Sequence, residues 1–335
     1  MRLLVLVPDF VHGPMRRLTA FFQAHPRAAL APVRKLLVHP TLHTTVAWGG
    51  TLNNMRHAAI AKSLGVDARL VSPSGRDTYG DFNVVDLPFV RWADRRDDDV
   101  VLVPDFCSEL ADDVRGPTIV YLQVPIQLRR DFDYMAPRVT LWTDSPHMLG
   151  LCNKVFPGKA IPIVPNVVDD RSFPFIAQSE REPGLILAFP RKGPDYIKAT
   201  QAHYAALGGK YWRFELIDGI PLKELARRMR RPQAFLASAD IEGCALPPQE
   251  SMACGMIVVG KSASGANFAM EHRKTAMVAE TPEAAAASLR ELEDEVLRDS
   301  ISKNAHAFIS RYFPTGEPRT LWRETLSRLG FALTP

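Results

Sequence analysis

The chain has 335 residues, 46% of them hydrophobic and 23% charged, the make-up of an ordinary globular protein long enough for two domains with cores of their own. Its formal net charge is only +4, with 41 Lys+Arg and 37 Asp+Glu spread along the chain rather than gathered in blocks, which argues against a dedicated nucleic-acid binder. Cys107, Cys152, Cys244 and Cys254 are widely separated and show no Cys/His ligand spacing, so neither a zinc site nor a disulfide framework is indicated and a reducing cytoplasm fits best.

The opening MRLLVLVPDF carries an apolar run too short for a signal-peptide core, cut by Pro8 and Asp9, and no later segment approaches the ~18 apolar residues of a membrane span. Short β-branched runs then recur at Leu3 to Val7, Thr44 to Ala47, Ala68 to Val71, Val100 to Val103, Thr118 to Leu122 and Val139 to Trp142, each followed by a helix-like stretch. That alternation predicts a parallel sheet wrapped by helices. Early in this half, residues 15–37 mix Arg16, Arg17, Arg34 and Lys35 with Phe21 and Phe22. The mixture suits docking at an anionic membrane surface and equally an ordinary amphipathic helix. The acidic triplet Asp97 to Asp99 reads as a solvated turn before a strand.

Between the two halves, residues 161–175 carry prolines at 162, 165 and 174 and read as an extended crossing, which places the domain boundary near Asp170. The strand pattern restarts with Leu185 to Ala188, Trp212 to Ile217, Ala234 to Ala237, Met256 to Val259 and Thr275 to Val278. Residues 281–313 read as helical from a Thr-Pro start, and a last helix follows over Arg319 to Leu329.

The informative stretch is ADIEGCALPPQESMACGMIVVG, residues 239–260. Gly243 and Ala245 let the backbone come close enough for N–H groups to reach sugar and phosphate oxygens, and a helix expected from near Pro248 points its positive end at the same place. Glu242 and Glu250 can each accept two hydroxyl hydrogen bonds, which suits the vicinal diols of a sugar or a ribose. The plain alternative is a helix cap at Glu242 and a surface position at Glu250.

This stretch resembles the retaining glycosyltransferases of family four, whose hallmark is an E-x7-E pair within E-G-x-(G/A)-L-x-x-x-E-(A/S)-M-A-x-G-x-(P)-V-V. Glu242, Gly243, Ala245, Leu246, Glu250, Met252, Ala253, Gly255, Val258 and Val259 all fit. PNVVDDRSF, LILAFPRKGPDYIKA and KSASGANFAMEHRKTAM are similar to the family's domain junction, diphosphate loop and closing Gly-rich loop. WGGTLNNMRHAAIAKSLG matches its first-domain glycine pair only in outline.

The resemblance implies an α/β protein of the GT-B fold, two Rossmann-like domains facing across a cleft. Residues 1–170 would form the acceptor side, 171–315 the nucleotide-sugar donor side, and 316–335 a helix crossing back to the first domain. It implies transfer of a sugar from a nucleotide sugar to a glycan or glycolipid acceptor in the cytoplasm or at the inner face of the membrane, with retention of configuration, no metal and no cofactor. Glu242 would contact the transferred sugar and Glu250 the ribose; Gly243, Cys244, Ala245 and Leu246 would line the donor. Arg191 and Lys192 would neutralise the departing diphosphate, although the family's pattern separates this Arg and Lys by several residues and here they are adjacent. Cys244 stands where an aromatic is common and is given no catalytic role.

Gly49 and Gly50 would touch the donor phosphates from the first domain or serve as a plain strand-to-helix turn. His147, His57 and Gln123, with residues 129–131, would stand on the acceptor side. The loop after Leu216 to Gly219 would read the base. A nucleotide-sugar epimerase, a phosphorylase and a non-catalytic binding protein remain alternatives on the same architecture.

Overall fold

The computed structural model describes residues 1–7, 49–72, 85–125, 132–312 and 316–334. The strand expected at 44–47, the basic and aromatic stretch 15–37 and residues 129–131 lie outside that set. Contacts divide the chain into two compact units, Met1–Leu122 with Gln127–Trp142 and Arg319–Pro335, and Gln123–Ile126 with Thr143–Pro318.

In the first unit, β1 (Leu3–Leu6), β2 (Ala68–Ser72), β3 (Phe89–Arg91), β4 (Val100–Pro104), β5 (Thr118–Leu122) and β6 (Val139–Thr143) form one sheet in the order β3-β2-β1-β4-β5-β6. The recorded pairings among β1 to β5 are parallel. Every residue of β1, β4 and β5 is buried, the condition of strands covered on both faces, and this is why they read as continuous apolar runs. The three-residue β3 is an addition to the sequence reading. It carries only Val90 as a buried side chain, too little apolar signal to stand out.

Helix α1 (Gly49–Ser63) leads towards β2. Its His57 is fully buried and meets Tyr121 at a ring distance of 5.4 Å, Trp142 at 6.5 Å and Trp322 at 6.2 Å. Trp322 Nε1 donates to His57 Nδ1 at 3.0 Å, which leaves the proton of a neutral ring on Nε2, beside Tyr121 OH at 3.4 Å. The acidic triplet is a correction. Asp97 and Asp98 are exposed, but Asp99 is fully buried and grips Arg2 through Nε at 2.9 Å and a second guanidinium nitrogen at 2.6 Å.

The second unit holds β7 (Glu182–Ala188), β8 (Arg213–Leu216), β9 (Pro232–Ala237), β10 (Ile257–Gly260) and β11 (Ala276–Val278), all parallel, in the order β11-β10-β9-β7-β8. Around it stand α2 (Pro146–Val155), α3 (Pro194–Ala206), α4 (Leu222–Arg228), α5 (Leu246–Ala253), α6 (Pro282–Glu291) and α7 (Glu295–Tyr312). One core cluster joins the strands to Tyr196, Ile197 and Tyr204 of α3, Ala285 and Leu289 of α6 and Ile301 of α7.

The stretch read as helical over 281–313 is divided into two helices. Asp294 accepts from the amides of Val296 and Leu297 at 2.8 and 3.1 Å, starting a new helix, while buried Arg298 donates to the carbonyls of Leu292 and Glu293 that the break leaves open. Helix α8 (Gly316–Arg328) begins three residues before the expected start, and its Trp322 is the residue packed on His57. Residues 143–170, expected with the first domain, group by contacts with the second unit.

Candidate functional site

The site is built at the carboxyl ends of β7 and β9, neighbours in the sheet and the usual location of ligands in open α/β folds. After β7 the chain turns through Arg191 and Lys192 to Gly193, whose φ of +87° is left-handed. A Cβ there would lie 2.3 Å from the Ser238 carbonyl oxygen, so two independent demands select glycine. Ser238 Oγ donates to the Lys192 carbonyl and pins the two loops together. Lys192 Nζ then reaches Glu242 Oε1 in an ion pair whose side chains are 41% and 20% exposed.

Behind Glu242 the backbone is fixed from within the same unit. A Cβ on Gly243 would fall 1.7 Å from the Gln123 carbonyl oxygen, a contact no side chain can occupy. Ser145 Oγ donates to the Gly243 carbonyl at 2.9 Å, and Asn166 Nδ2 donates to the Cys244 carbonyl at 2.9 Å and to Gln249 Oε1 at 3.2 Å. Gln249 Nε2 in turn donates to Cys244 Sγ at 2.6 Å. Burial pushes the Cys244 thiol well above its usual range, with the nearby Asp144 adding to the effect, so it stays protonated and packs rather than reacts.

Helix α5 starts at Leu246, two residues before the expected Pro248, with Ala245 as an N-cap that supplies no side-chain bond. Its N-terminal partial positive charge is therefore not offset by a capping side chain. Glu250 lies on this helix and is 4% exposed.

The structure brings Lys192, Glu242, Gly243, Cys244, Ala245 and Leu246 into one constellation, with Arg191 exposed beside it. Gln123 joins through its backbone carbonyl, and its side chain is buried. His147, half-buried in the first turn of α2, stands close to the next loop: a Cβ on Gly265 would be 3.5 Å from His147 Nδ1. His57 belongs instead to the aromatic interior of the first unit, and Gly49 and Gly50 are the first residues of α1.

Sequence reasoning missed Ser145, Asn166 and Ser238, the side chains that hold the loop in shape. Ser145 leaves a legible trace as the Ser-Pro start of α2, where it also caps Met148 N at 3.2 Å, and Asn166 lies in the PNVVDDRSF string without its contact being readable there.

Among the described residues no group of three or more His, Cys, Asp or Glu side chains could hold a metal ion, and no helix is long and apolar enough to cross a membrane.

The family model described as Glycosyl transferases group 1 matches residues 213–308, under a third of the 335-residue chain and the part that contains Glu242 and Glu250. No curated protein matches the chain. Among solved structures, sucrose-phosphate synthase from Thermosynechococcus elongatus is similar at a TM-score of 0.65 and 12% identity over 98% of this chain and 99% of that one. HepE of Anabaena in complex with UDP and glucose is similar at 0.62 and 13% identity, over 98% and 100% of the two chains. A variant of S. aureus TarM in complex with fondaparinux, α-GlcNAc-glycerol and UDP reaches 0.55 at 14% identity, covering 70% of this chain. This chain spans 56% of that TarM structure. At these identities the likeness is one of fold: the chain is an α/β protein with two parallel-sheet, Rossmann-like domains of the GT-B type.

Proposed function

We propose that this protein is a glycosyltransferase that moves a sugar from a nucleotide-sugar donor to a glycan, lipid-linked or other glycoconjugate acceptor with retention of configuration. The observation that carries the reading is the ion pair between Lys192 and Glu242, the latter on a backbone loop that is too tight for any residue but glycine at 243 and lies inside the segment matched by the group 1 family model. HepE with UDP and glucose and TarM with UDP support the donor class by analogy of fold.

In this reading the second unit, which includes residues 143–170, is the donor half, and the first unit, with Arg319–Pro335, is the acceptor half. The diphosphate displaces Glu242 from Lys192, and Arg191 adds a second charge. Freed Glu242 accepts from a hydroxyl of the transferred sugar, and Glu250 holds the ribose. The bond between anomeric carbon and phosphate oxygen breaks as the acceptor hydroxyl attacks from the face the diphosphate leaves, and the hydroxyl proton passes to that phosphate. Lysine and arginine supply the positive charge, so transfer needs no divalent ion and survives a chelator.

A thermal-shift screen against UDP, GDP, ADP and CMP identifies the base, because a ligand bound by the native state alone raises the melting temperature. Glu250→Gln is then expected to weaken the nucleotide and the intact donor together, and Glu242→Gln to depress turnover more than affinity. Loss of nucleotide binding in Glu242→Gln with none in Glu250→Gln reverses the two roles. Release of a new sugar nucleotide without acceptor indicates an epimerase, and a need for free phosphate a phosphorylase.

A further inference from the structure

Lys261 follows the last residue of β10, the neighbour of β9 on the side away from β7. Its amide donates to the Ala237 carbonyl at 2.9 Å, and its own carbonyl accepts from Asn267 Nδ2 at 3.2 Å, so its backbone is held at both ends. Its ammonium pairs with Asp240 and lies 4.7 Å from the centre of the Tyr196 ring. Burial pushes the Tyr196 phenol far above its usual range, with Glu280, Asp240 and Glu283 adding to it, so the hydroxyl keeps its proton and donates to the Ala279 carbonyl at 2.6 Å. The ring is thus a fixed support for the cation.

The arrangement repeats that of Lys192. One loop, leaving β9, presents two carboxylates two residues apart, Asp240 and Glu242, and each is matched by a lysine from a flanking strand. Adjacent strands stand about 4.8 Å apart, so the ends of β7 and β10 are separated by roughly 10 Å, a gap that two lysine side chains can close from opposite sides. Asp240 is 72% exposed while Lys261 is 15% exposed. The carboxylate is the loose member of the pair and the ammonium the anchored one, the arrangement expected where an incoming anion replaces a water-exposed partner. The loop that follows is bent into three successive left-handed residues, Ala263, Ser264 and Gly265, with φ of 51°, 58° and 95°, and Ser264 Oγ bonds back to the Asp240 carbonyl at 3.3 Å.

We infer that Lys261 is a second phosphate-binding cation of the donor site, which takes the nucleoside diphosphate in place of Asp240 and acts opposite Lys192. The inference rests on the transferase reading. It also accounts for the adjacency of Arg191 and Lys192: where two cations from one loop cannot spread along a diphosphate, the second comes from β10.

The test is calorimetric titration of whichever of UDP, GDP or ADP the parent protein binds, and of the matching nucleoside, into Lys261→Met and Lys261→Arg. Methionine keeps the apolar stem against Tyr196, so the melting temperature is expected to hold. The diphosphate is expected to bind roughly ten- to a hundredfold more weakly to Lys261→Met, with the nucleoside unchanged and affinity largely recovered in Lys261→Arg. Equal diphosphate affinity in parent and Lys261→Met overturns the inference. If Lys192→Met loses affinity in that same experiment, the transferase reading stands without it. A parent that binds none of the three diphosphates removes both. Should Lys261→Met fail to fold, Asp240→Asn decides: tighter diphosphate binding by about two- to fivefold supports the exchange, and unchanged affinity refutes it.

Discussion

Arg2 and Asp99 meet inside the first unit with side chains 7% and 0% exposed, whereas Lys192 and Glu242 meet at a strand end of the second with 41% and 20% exposed. The first pair is held on every side: Asp99 also accepts from Arg96 N at 2.8 Å, and Arg2 also donates to the Asp94 carbonyl at 3.1 Å. The second retains access to water. A buried pair cannot trade partners without stranding a charge, while a half-exposed pair can, and so the same chemistry is a fixed fastener in one place and an exchangeable contact in the other.

That contrast can be broken by experiment. Asp99→Asn is expected to lower unfolding stability by about 3–5 kcal/mol in urea titrations, because it leaves the Arg2 guanidinium buried without its counter-charge. A loss below about 1 kcal/mol would place this pair with the exchangeable ones. Next in size, Gly243→Ala is expected to cost about 3 kcal/mol and to abolish donor binding, since the new methyl meets a backbone carbonyl that cannot move aside cheaply. Stability and binding are measured on the same preparation, and retention of both contradicts the close approach to Gln123.

Lys192→Met is expected to change stability by less than about 1 kcal/mol yet to slow sugar transfer roughly a hundredfold. Single-turnover rates alongside thermal melts test this, and a large melting shift with unaltered transfer would make it a structural lysine. The smallest effect belongs to Glu224, whose carboxyl Arg227 and Arg228 hold down at about 2 from an ordinary 4.5. Its folded value is depressed, so its contribution is present above pH 4.5 and is lost as pH falls towards 2. Glu224→Gln should therefore differ from the parent slightly at pH 7 and not at all at the acid end, and a difference that grows on acidification contradicts the assignment.

The loop that carries Glu242 and the turn before α3 were legible because their backbones make demands only certain residues meet. Gly243 has a carbonyl where its side chain would be, and Gly193 is both left-handed and pressed on Ser238, so both constraints leave a mark in the sequence. Buried parallel strands were legible for a similar reason, being apolar on both faces. Lys261 left no such mark, since its role depends on where β10 ends relative to Asp240, and a lysine after a strand is commonplace. Asp99 misled because a run of acids usually faces water, and only the tertiary position of Arg2 distinguishes the third from the first two. His57 reads as a functional histidine until Trp322, 265 residues on, is seen to donate to it.

That last contact also imposes an order on synthesis. Trp322 completes the aromatic interior formed by His57, Tyr121 and Trp142, packing on Trp142 at 4.7 Å, yet it is made 322 − 142 = 180 residues after that tryptophan. At about 5–20 residues per second, Trp142 waits roughly 10–40 s for its partner, and His57 and Tyr121 wait longer. During that interval all of the second sheet leaves the ribosome and can close, while the first unit still lacks a side chain from its core. The half made first is thus expected to be finished last, and to be the half that depends on chaperones while the chain grows.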